Sequence, residues 1–241
     1  MKVVSFKICP FVQRVTALLE AKGADYEIEY IDLGNKPQWF LEVSPNRQVP
    51  ILMRDDGRVL FESDAIVEYL DETIGTPTLS ADPADRAQDR AWSYLGSKHY
   101  LVQCSSQRSS DAETLAERRG KLAKAFSNIS GRVAQTNGPF AHGDHMGAID
   151  IAWLPILHRA AVIEEWSGVN YFEDHPTLEA WQAAVMGTGI PDKSVPEDFI
   201  ERFTGFYLAE TTYLGQLARE KIGEACCGDP QCTVEDLACC A

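Results

Sequence analysis

The sequence predicts a small α/β domain followed by an all-helical one, and three observations carry that reading. Short strand and helix patterns alternate over residues 1–76. Thr76 to Pro83 then holds two prolines just after Gly75, the composition of a linker. From Ala84 onward strand signals nearly vanish and long helical periods take over. The expected division is 1–76 for the α/β domain, 77–83 for the linker, 84–224 for the helical domain and 225–241 for a cysteine-rich tail.

Taken in order, Lys2 to Ile8 reads as a strand, and Pro10 to about Lys22 as a helix whose Phe11, Val15, Leu18 and Leu19 recur at helical spacing before Gly23 closes it. Tyr26 to Ile31 is β-rich, with Glu27 and Glu29 alternating outward. Lys36 to Val43 makes a short helix after the Gly34-Asn35 turn. Ile51 to Met53 and Arg58 to Phe61 flank Asp55-Asp56-Gly57, a hairpin signal. Ser63 is the expected cap of a helix with Ile66, Val67, Leu70 and Ile74 on one face.

Beyond the linker, Ala84 to Gln107 and Ala112 to Gln135 read as long helices, with a loop at Asn137 to Gly147. Asp150 to Glu165 is apolar nearly all round, which implies a buried central helix, with Pro155 inside it as an expected kink. Thr177 to Met186 and Glu197 to Leu217 complete the helical set.

Composition limits the partners. Over 241 residues, 45% apolar and 24% charged usage is that of a globular protein able to bury a core. A net charge of −14 argues against nucleic acid and anionic membrane surfaces, which need clustered Lys and Arg. No stretch approaches the roughly 18 apolar residues of a membrane span, and the start offers no apolar run for a signal peptide. The expected compartment is the cytoplasm, with thiols mostly reduced. Seven cysteines are present: Cys9 and Cys104 stand alone, and Cys226, Cys227, Cys232, Cys239 and Cys240 fall in the last sixteen residues.

Cys9 precedes Pro10, and proline is favoured at the first position of a helix, so Cys9 takes the N-cap. Unpaired N–H groups and the positive helix end stabilise a thiolate there, and cysteines so placed have pKa values lowered to about 3.5–7.5. That makes a reactive nucleophile; a small buried cysteine that fills space is the other reading of the position. Cys9-Pro10-Phe11-Val12 lacks the second thiol of a C-x-x-C pair, so a disulfide at Cys9 needs an outside thiol such as glutathione to resolve it.

Four segments carry a family resemblance. Cys9-Pro10-Phe11 with Arg14, Leu33-Gly34-Asn35-Lys36-Pro37-Gln38-Trp39-Phe40, Gln48-Val49-Pro50-Ile51 and Phe61-Glu62-Ser63-Asp64-Ala65-Ile66 occur in this order. Together they resemble the thioredoxin-like domain of the glutathione transferases, most closely the cysteine-type omega class with its bacterial and plant relatives. The resemblance implies the glutathione transferase fold, a thioredoxin-like domain plus an all-α domain, and glutathione as cosubstrate. It also implies a homodimer and no bound metal in the core. Residue by residue, it implies that Cys9 forms the mixed disulfide and that Val49, before a cis Pro50, offers its main chain to the cysteinyl part. Glu62 and Ser63 would bind the γ-glutamyl end, Lys36 would face the glycyl carboxylate, and Leu33 and Phe11 would line the pocket.

The resemblance is looser in the second domain, where Asn137-Gly138-Pro139-Phe140 and Gly147-Ala148-Ile149-Asp150-Ile151 are similar to the family's capping region ahead of its central helix. The family usually has Ser or Thr where Gly147 stands; Asp150 is expected to bond back to the cap N–H. His142, Asp144 and His145 sit in a Gly-rich loop without a further ligand nearby and read as a solvated loop rather than a metal site. His158 reads as a satisfied core histidine. Trp92, Tyr94 and Tyr100 fall where the family builds its second-substrate pocket, and helix packing accounts for them equally well.

The tail from Cys226 to Cys240 lies outside the resemblance and holds no Lys or Arg. Its thiol density suits a thiophilic metal or a second redox centre, and a thiol-rich appendage without a ligand is the other reading. The functional expectation is a glutathione-dependent thiol transferase or reductase acting on small disulfides, dehydroascorbate or glutathione conjugates, with a small electrophilic or disulfide acceptor. The alternative is a non-catalytic regulatory or interaction protein of the same fold. The chloride-channel-like intracellular proteins share the Cys-Pro-Phe turn, but the Asn-Lys-Pro and Glu-Ser segments fit the enzyme better.

Overall fold

The computed structural model describes residues 1–226. Its sheet has four strands in the order β2-β1-β3-β4, formed by β1 (Lys2–Ser5), β2 (Glu27–Tyr30), β3 (Ile51–Met53) and β4 (Val59–Phe61). β1 runs parallel to β2, with Lys2 opposite Glu27, and antiparallel to β3, with Val3 opposite Leu52. β3 and β4 form the expected hairpin. Successive residues of a strand point to opposite faces, and Val3 and Val4 show it. Val3 joins the main core with α1 (Pro10–Ala21) and α3 (Ser63–Thr73), while Val4 joins a second cluster with Ile31, Ile51 and Phe40 of α2 (Gln38–Val43). This is the thioredoxin-like layering that the resemblance implied.

Two details near the chemistry differ from the expectation. β1 stops at Ser5 rather than Ile8, because the chain turns so that the Cys9 N–H reaches the Phe6 carbonyl at 3.0 Å. Ser63 is the first residue of α3, not its cap; Glu62 holds the cap position with a φ of 66°. At the far ends of α1 and α3, buried Lys22 pairs with Asp71 at 3.0 Å and donates to the Ile74 and Thr76 carbonyls.

The helical part comprises α4 (Pro83–Gln107), α5 (Ala112–Val133), α6 (Ala148–Ser167), α7 (Pro176–Met186), α8 (Ile190–Lys193), α9 (Phe199–Tyr207) and α10 (Tyr213–Cys226). The Asp82 carboxylate accepts from the Ala84 and Asp85 N–H groups and starts α4. α6 is the buried central helix and runs through Pro155 as one element. α4 lies alongside it: the Tyr100 hydroxyl donates to the Ala152 carbonyl, and Gln103 Nε2 to the Ile156 carbonyl at 2.9 Å. Gly96 permits the approach, since a Cβ there would come within 3.0 Å of the Trp153 indole. The single helix expected over Glu197 to Leu217 is instead two. Thr212 Oγ1 donates to the Tyr207 carbonyl at 2.9 Å and accepts from the Gly215 N–H at 3.1 Å, so one threonine ends α9 and caps α10.

The start of α6 is closed as expected by Asp150, which accepts from the Gly147 N–H at 2.9 Å and the Ala141 N–H at 2.8 Å. Trp181 Nε1 adds a third bond to the same carboxylate at 2.7 Å. His142, however, is not in a solvated loop. Its ring is nearly buried between Asp89 of α4, at 3.1 Å, and Asp150, at 3.4 Å. His158 is a core histidine, as expected: it meets Gln13 at 2.7 Å and stacks on Phe199, and burial with the neighbouring Arg159 charge pushes its pKa down to about 3. Among the described residues no helix is long and apolar enough to cross a membrane. Positions 227–241, with Cys227, Cys232, Cys239 and Cys240 and the expected metal or redox role of the tail, lie outside the described residues.

Candidate active site

The sheet topology itself collects the candidate residues. Because β1, β2 and β4 run one way and β3 the other, the chain leaves β1, β2 and β4 and enters β3 at one end of the sheet. Cys9 follows β1, Leu33 and Lys36 follow β2, Val49 and Pro50 precede β3, and Glu62 and Ser63 follow β4. Four segments far apart in sequence thus share one edge.

Within that edge the contacts are specific. The Val49–Pro50 bond is cis, and among the described residues nothing pairs with the Val49 N–H or C=O. Asn46 Nδ2 donates to Glu62 Oε1 at 2.8 Å, which joins the turn before Val49 to the start of α3. Lys36 Nζ donates to the Arg47 carbonyl at 2.7 Å in the same turn. Arg14, buried, pairs with Asp64 and holds the first turn of α3 against α1. Ser63 is buried, and Leu33 is exposed on the rim.

Cys9 occupies the N-cap of α1 with extended backbone, and Pro10 opens the helix. The residue as a whole is half-buried. Burial is the largest influence on it and pushes its pKa up; the N–H groups of Val12 and Phe11 and the Arg159 guanidinium pull it down, without reversing the sign. The sequence expectation of a lowered pKa is therefore corrected. Helix end and cation are both present, but the sulfur lies under the helical part of the chain, where the loss of water disfavours the charged form.

The packing that removes that water comes from α4, α6 and α9. Phe11 meets Tyr100 edge-on at 5.1 Å, so Phe11 packs at the junction of α1 and α4. Arg159, 1% exposed, reaches from α6 to the Ile8 carbonyl at 3.3 Å, one residue before the thiol. It also donates to Gln13 and to the Pro155 carbonyl, and lies 5.5 Å from the Phe199 ring centre. No carboxylate among the described residues pairs with it. Tyr94 donates to Glu68, and the Trp92 main-chain carbonyl accepts from Trp153 Nε1 at 3.0 Å.

Sequence reasoning missed Arg159, Asn46 and Asp64. Arg159 had a signal, a basic side chain interrupting the apolar run of the central helix. Asn46 and Asp64 had none beyond their neighbours.

Residues 8–73 match the family model described as glutathione S-transferase, N-terminal domain. The chain is 31% identical over 188 residues to glutathione S-transferase omega-1 of Sus scrofa, covering 77% of this chain and 76% of that protein. The chain belongs to the glutathione transferase superfamily. This transferase is omega-like in sequence, and it is also 31% identical over 179 residues to a probable glutathione S-transferase DHAR1, cytosolic, of Oryza sativa subsp. japonica, covering 74% and 79% of the two chains. Among solved structures, the Tau class glutathione S-transferase of mango, Mangifera indica, superposes with a TM-score of 0.71 at 28% identity, over 85% of this chain and 96% of that one. The transferase fold therefore accounts for the shared sheet edge.

Proposed function

We propose that this transferase is a glutathione-dependent thiol transferase or reductase in which Cys9 carries the glutathionyl group. The Cys9 thiolate attacks the glutathione sulfur of a mixed disulfide, forming a Cys9–glutathione disulfide and releasing the acceptor thiolate. A second glutathione thiolate then attacks the glutathionyl sulfur, leaving glutathione disulfide and restoring the Cys9 thiolate. The observation that carries this reading is the buried Arg159, paired with no carboxylate among the described residues, beside a helix-capping thiol with no partner cysteine in its motif. That cation is placed to stabilise Cys9 as the thiolate.

The shared sheet edge supplies the rest. Val49, with Pro50 fixing its direction, pairs its main chain with the cysteinyl unit as an added strand does. Glu62, oriented by Asn46, takes the γ-glutamyl ammonium, and Ser63 with the start of α3 takes its carboxylate. Lys36 faces the glycyl carboxylate, and Leu33 and Phe11 line the pocket. Beside the Cys9 loop, a groove of about 630 Å³ bordered by Phe6, Ile8, Tyr30, Arg202 and Phe206 offers room for the acceptor. Small mixed disulfides, dehydroascorbate and glutathione conjugates are the acceptor classes, the working state is a homodimer, and the compartment is the cytoplasm, as for the cytosolic rice relative.

The upward shift of the Cys9 thiol is what a non-catalytic regulatory member of the fold would carry, and one assay separates the two. Glutathione-dependent reduction of a small disulfide and of dehydroascorbate should proceed with wild type and be lost in Cys9→Ser. No turnover on either acceptor, or equal turnover in the variant, would overturn the enzyme reading.

A further inference from the structure

One buried amide joins the Cys9 turn to α6 and α8. Gln13 follows Cys9 by one turn of α1, where its own N–H donates to the Cys9 carbonyl at 3.1 Å, and it is 2% exposed. Its Nε2 meets His158 Nδ1 at 2.7 Å, the Ser194 hydroxyl at 3.2 Å and the Pro191 carbonyl at 3.5 Å. A carbonyl can only accept, and the Ser194 hydroxyl gives its hydrogen to the same Pro191 carbonyl at 2.7 Å, so the amide nitrogen faces α8 and its end. His158, neutral because burial pushes its pKa down to about 3, accepts through Nδ1 and carries its proton on Nε2, toward Asp192 at 3.7 Å. Thr16 Oγ1 ties the same end of α8 to α1, donating to the Ser194 carbonyl at 2.6 Å.

With its nitrogen fixed, the amide turns its oxygen to Arg159. Arg159 Nη1 donates to that oxygen and to the Pro155 carbonyl at 3.2 Å, while Nη2 donates to the Ile8 carbonyl at 3.3 Å and Nε finds no partner. Pro155 lies on the same helix as Arg159, so it cannot tie α6 to the thiol. Ile8 and Gln13 are the tethers across the junction, one before Cys9 and one after it. Only the second is a side chain. An amide oxygen accepts the same bond as a carboxylate and brings no negative charge. The other titratable groups acting on Arg159 are Cys104 of α4, Tyr207 of α9, Cys9 and Tyr100, all neutral when protonated, and burial favours that form in both tyrosines.

We propose that Gln13 is a positioning residue for the Cys9 thiol: its amide, fixed by the end of α8, holds the Arg159 guanidinium on the Cys9 turn and leaves the charge available to the thiolate. Gln13 acts through Arg159 and not on the reacting sulfur. Without the amide oxygen, the Ile8 carbonyl is the remaining acceptor across the junction, and the guanidinium loses its fixed direction. A carboxylate of the same shape would hold Arg159 as well but close an ion pair with it, and a cation so paired does less for a neighbouring thiolate. The neutrality of position 13 is therefore part of how the thiol is activated. The proposal rests on the reading of Cys9 as the nucleophile that takes up glutathione, and adds what keeps its cation in place and uncompensated.

The test follows the pH profile of Cys9 alkylation, read at peptide Ile8–Arg14 of the full chain, in wild type, Gln13→Leu, Arg159→Gln and the double variant. Gln13→Leu should move the profile to higher pH and lower the rate at neutral pH by about three- to tenfold, as expected when a nearby charge is displaced but not deleted. In the Arg159→Gln background the same substitution should move the profile no further, because Gln13 acts through Arg159. A profile that Gln13→Leu leaves unmoved in a folded protein, or moves equally in both backgrounds, overturns the proposal. Should the leucine variant fail to fold, Gln13→Glu decides with the same shape: its carboxylate should also move the profile to higher pH, and an unmoved or lowered profile overturns the proposal. Wild type that takes up no glutathione on Cys9 from glutathione disulfide overturns the thiol-transferase reading instead, since alkylation reads the thiol without any acceptor.

Discussion

The His142 imidazole fills the space that a side chain at position 147 would need: a Cβ on Gly147 would lie 2.3 Å from His142 Nδ1. The same ring meets Asp150, the residue that closes the start of α6, and Asp89 on α4. The histidine ring therefore occupies the place that a capping side chain at position 147 would need.

It follows that Gly147→Ser should destabilise the protein by about 1–3 kcal/mol through overpacking, although serine is ordinarily a better cap. Combined with His142→Ala, the serine has room to cap, and the double variant should be more stable than the sum of the two single effects. Urea denaturation of the four proteins as a double-mutant cycle checks this. Strict additivity would show that the two residues do not compete for one space.

The His142 site also sets a pH dependence. Burial works against the imidazolium, but hydrogen bonds and charges from Asp150 and Asp89 outweigh it and hold the pKa above the usual histidine range. Asp85 and Arg132 border the same hollow, and the His145 ring lies 6.3 Å away. Since the folded pKa exceeds the unfolded value of about 6.5, the stabilisation is complete below the unfolded value and is lost as pH rises through the folded one. The stability difference between wild type and His142→Gln should be largest in mild acid and shrink toward alkaline pH. A difference that stays flat or grows would contradict the charged form of His142.

The sheet edge gives a binding prediction. Glu62→Ala should raise KM for glutathione by about 10–100-fold, the range for losing a hydrogen bond to a charged group. Asn46→Ala should raise it less, with kcat changed little in both, because Asn46 acts only by orienting Glu62. Steady-state kinetics at varied glutathione concentration separates the two parameters. A loss confined to kcat would remove Glu62 from the binding role.

How far the sequence carried these conclusions depends on the scale of the signal. The order of strands and helices was legible because Val3, Val15, Leu18, Ile66 and Leu70 repeat at strand or helix spacing, and repetition survives small errors of boundary. Cys9, Val49, Pro50 and Glu62 were legible through four short motifs in a fixed order. Arg159 and His142 were not, since each acquires its role from partners that adjoin only after folding: Ile8 lies 151 positions from Arg159, and Asp89 belongs to another helix. The break between α9 and α10 was missed because a threonine in a helical stretch is ordinary until its hydroxyl is seen bonding both ends. The downward pKa expected for Cys9 failed for a related reason: a helix terminus is visible in sequence, but the packing that dries it is not.

Arg159 can be tested through the thiol it faces. Arg159→Gln removes one charge from beside Cys9 while keeping a hydrogen-bonding side chain, and should move the pH profile of Cys9 alkylation to higher pH. At neutral pH the rate should fall by about tenfold or more, as expected for losing a unit charge in a half-buried site. Alkylation followed at peptide Ile8–Arg14 reads Cys9 apart from the other cysteines. An unchanged profile in a folded variant would place Arg159 in packing alone.

The central claim is that Cys9 is the sulfur that receives glutathione. The most direct measurement is the intact mass of the protein after a short exposure to glutathione disulfide, with the modified residue assigned by peptide sequencing in wild type and in Cys9→Ser. The account predicts one early glutathionyl group in wild type, located on Cys9, and none in peptide Ile8–Arg14 of the variant. A wild-type protein that takes its first glutathionyl group on another cysteine, or that takes none, would contradict it.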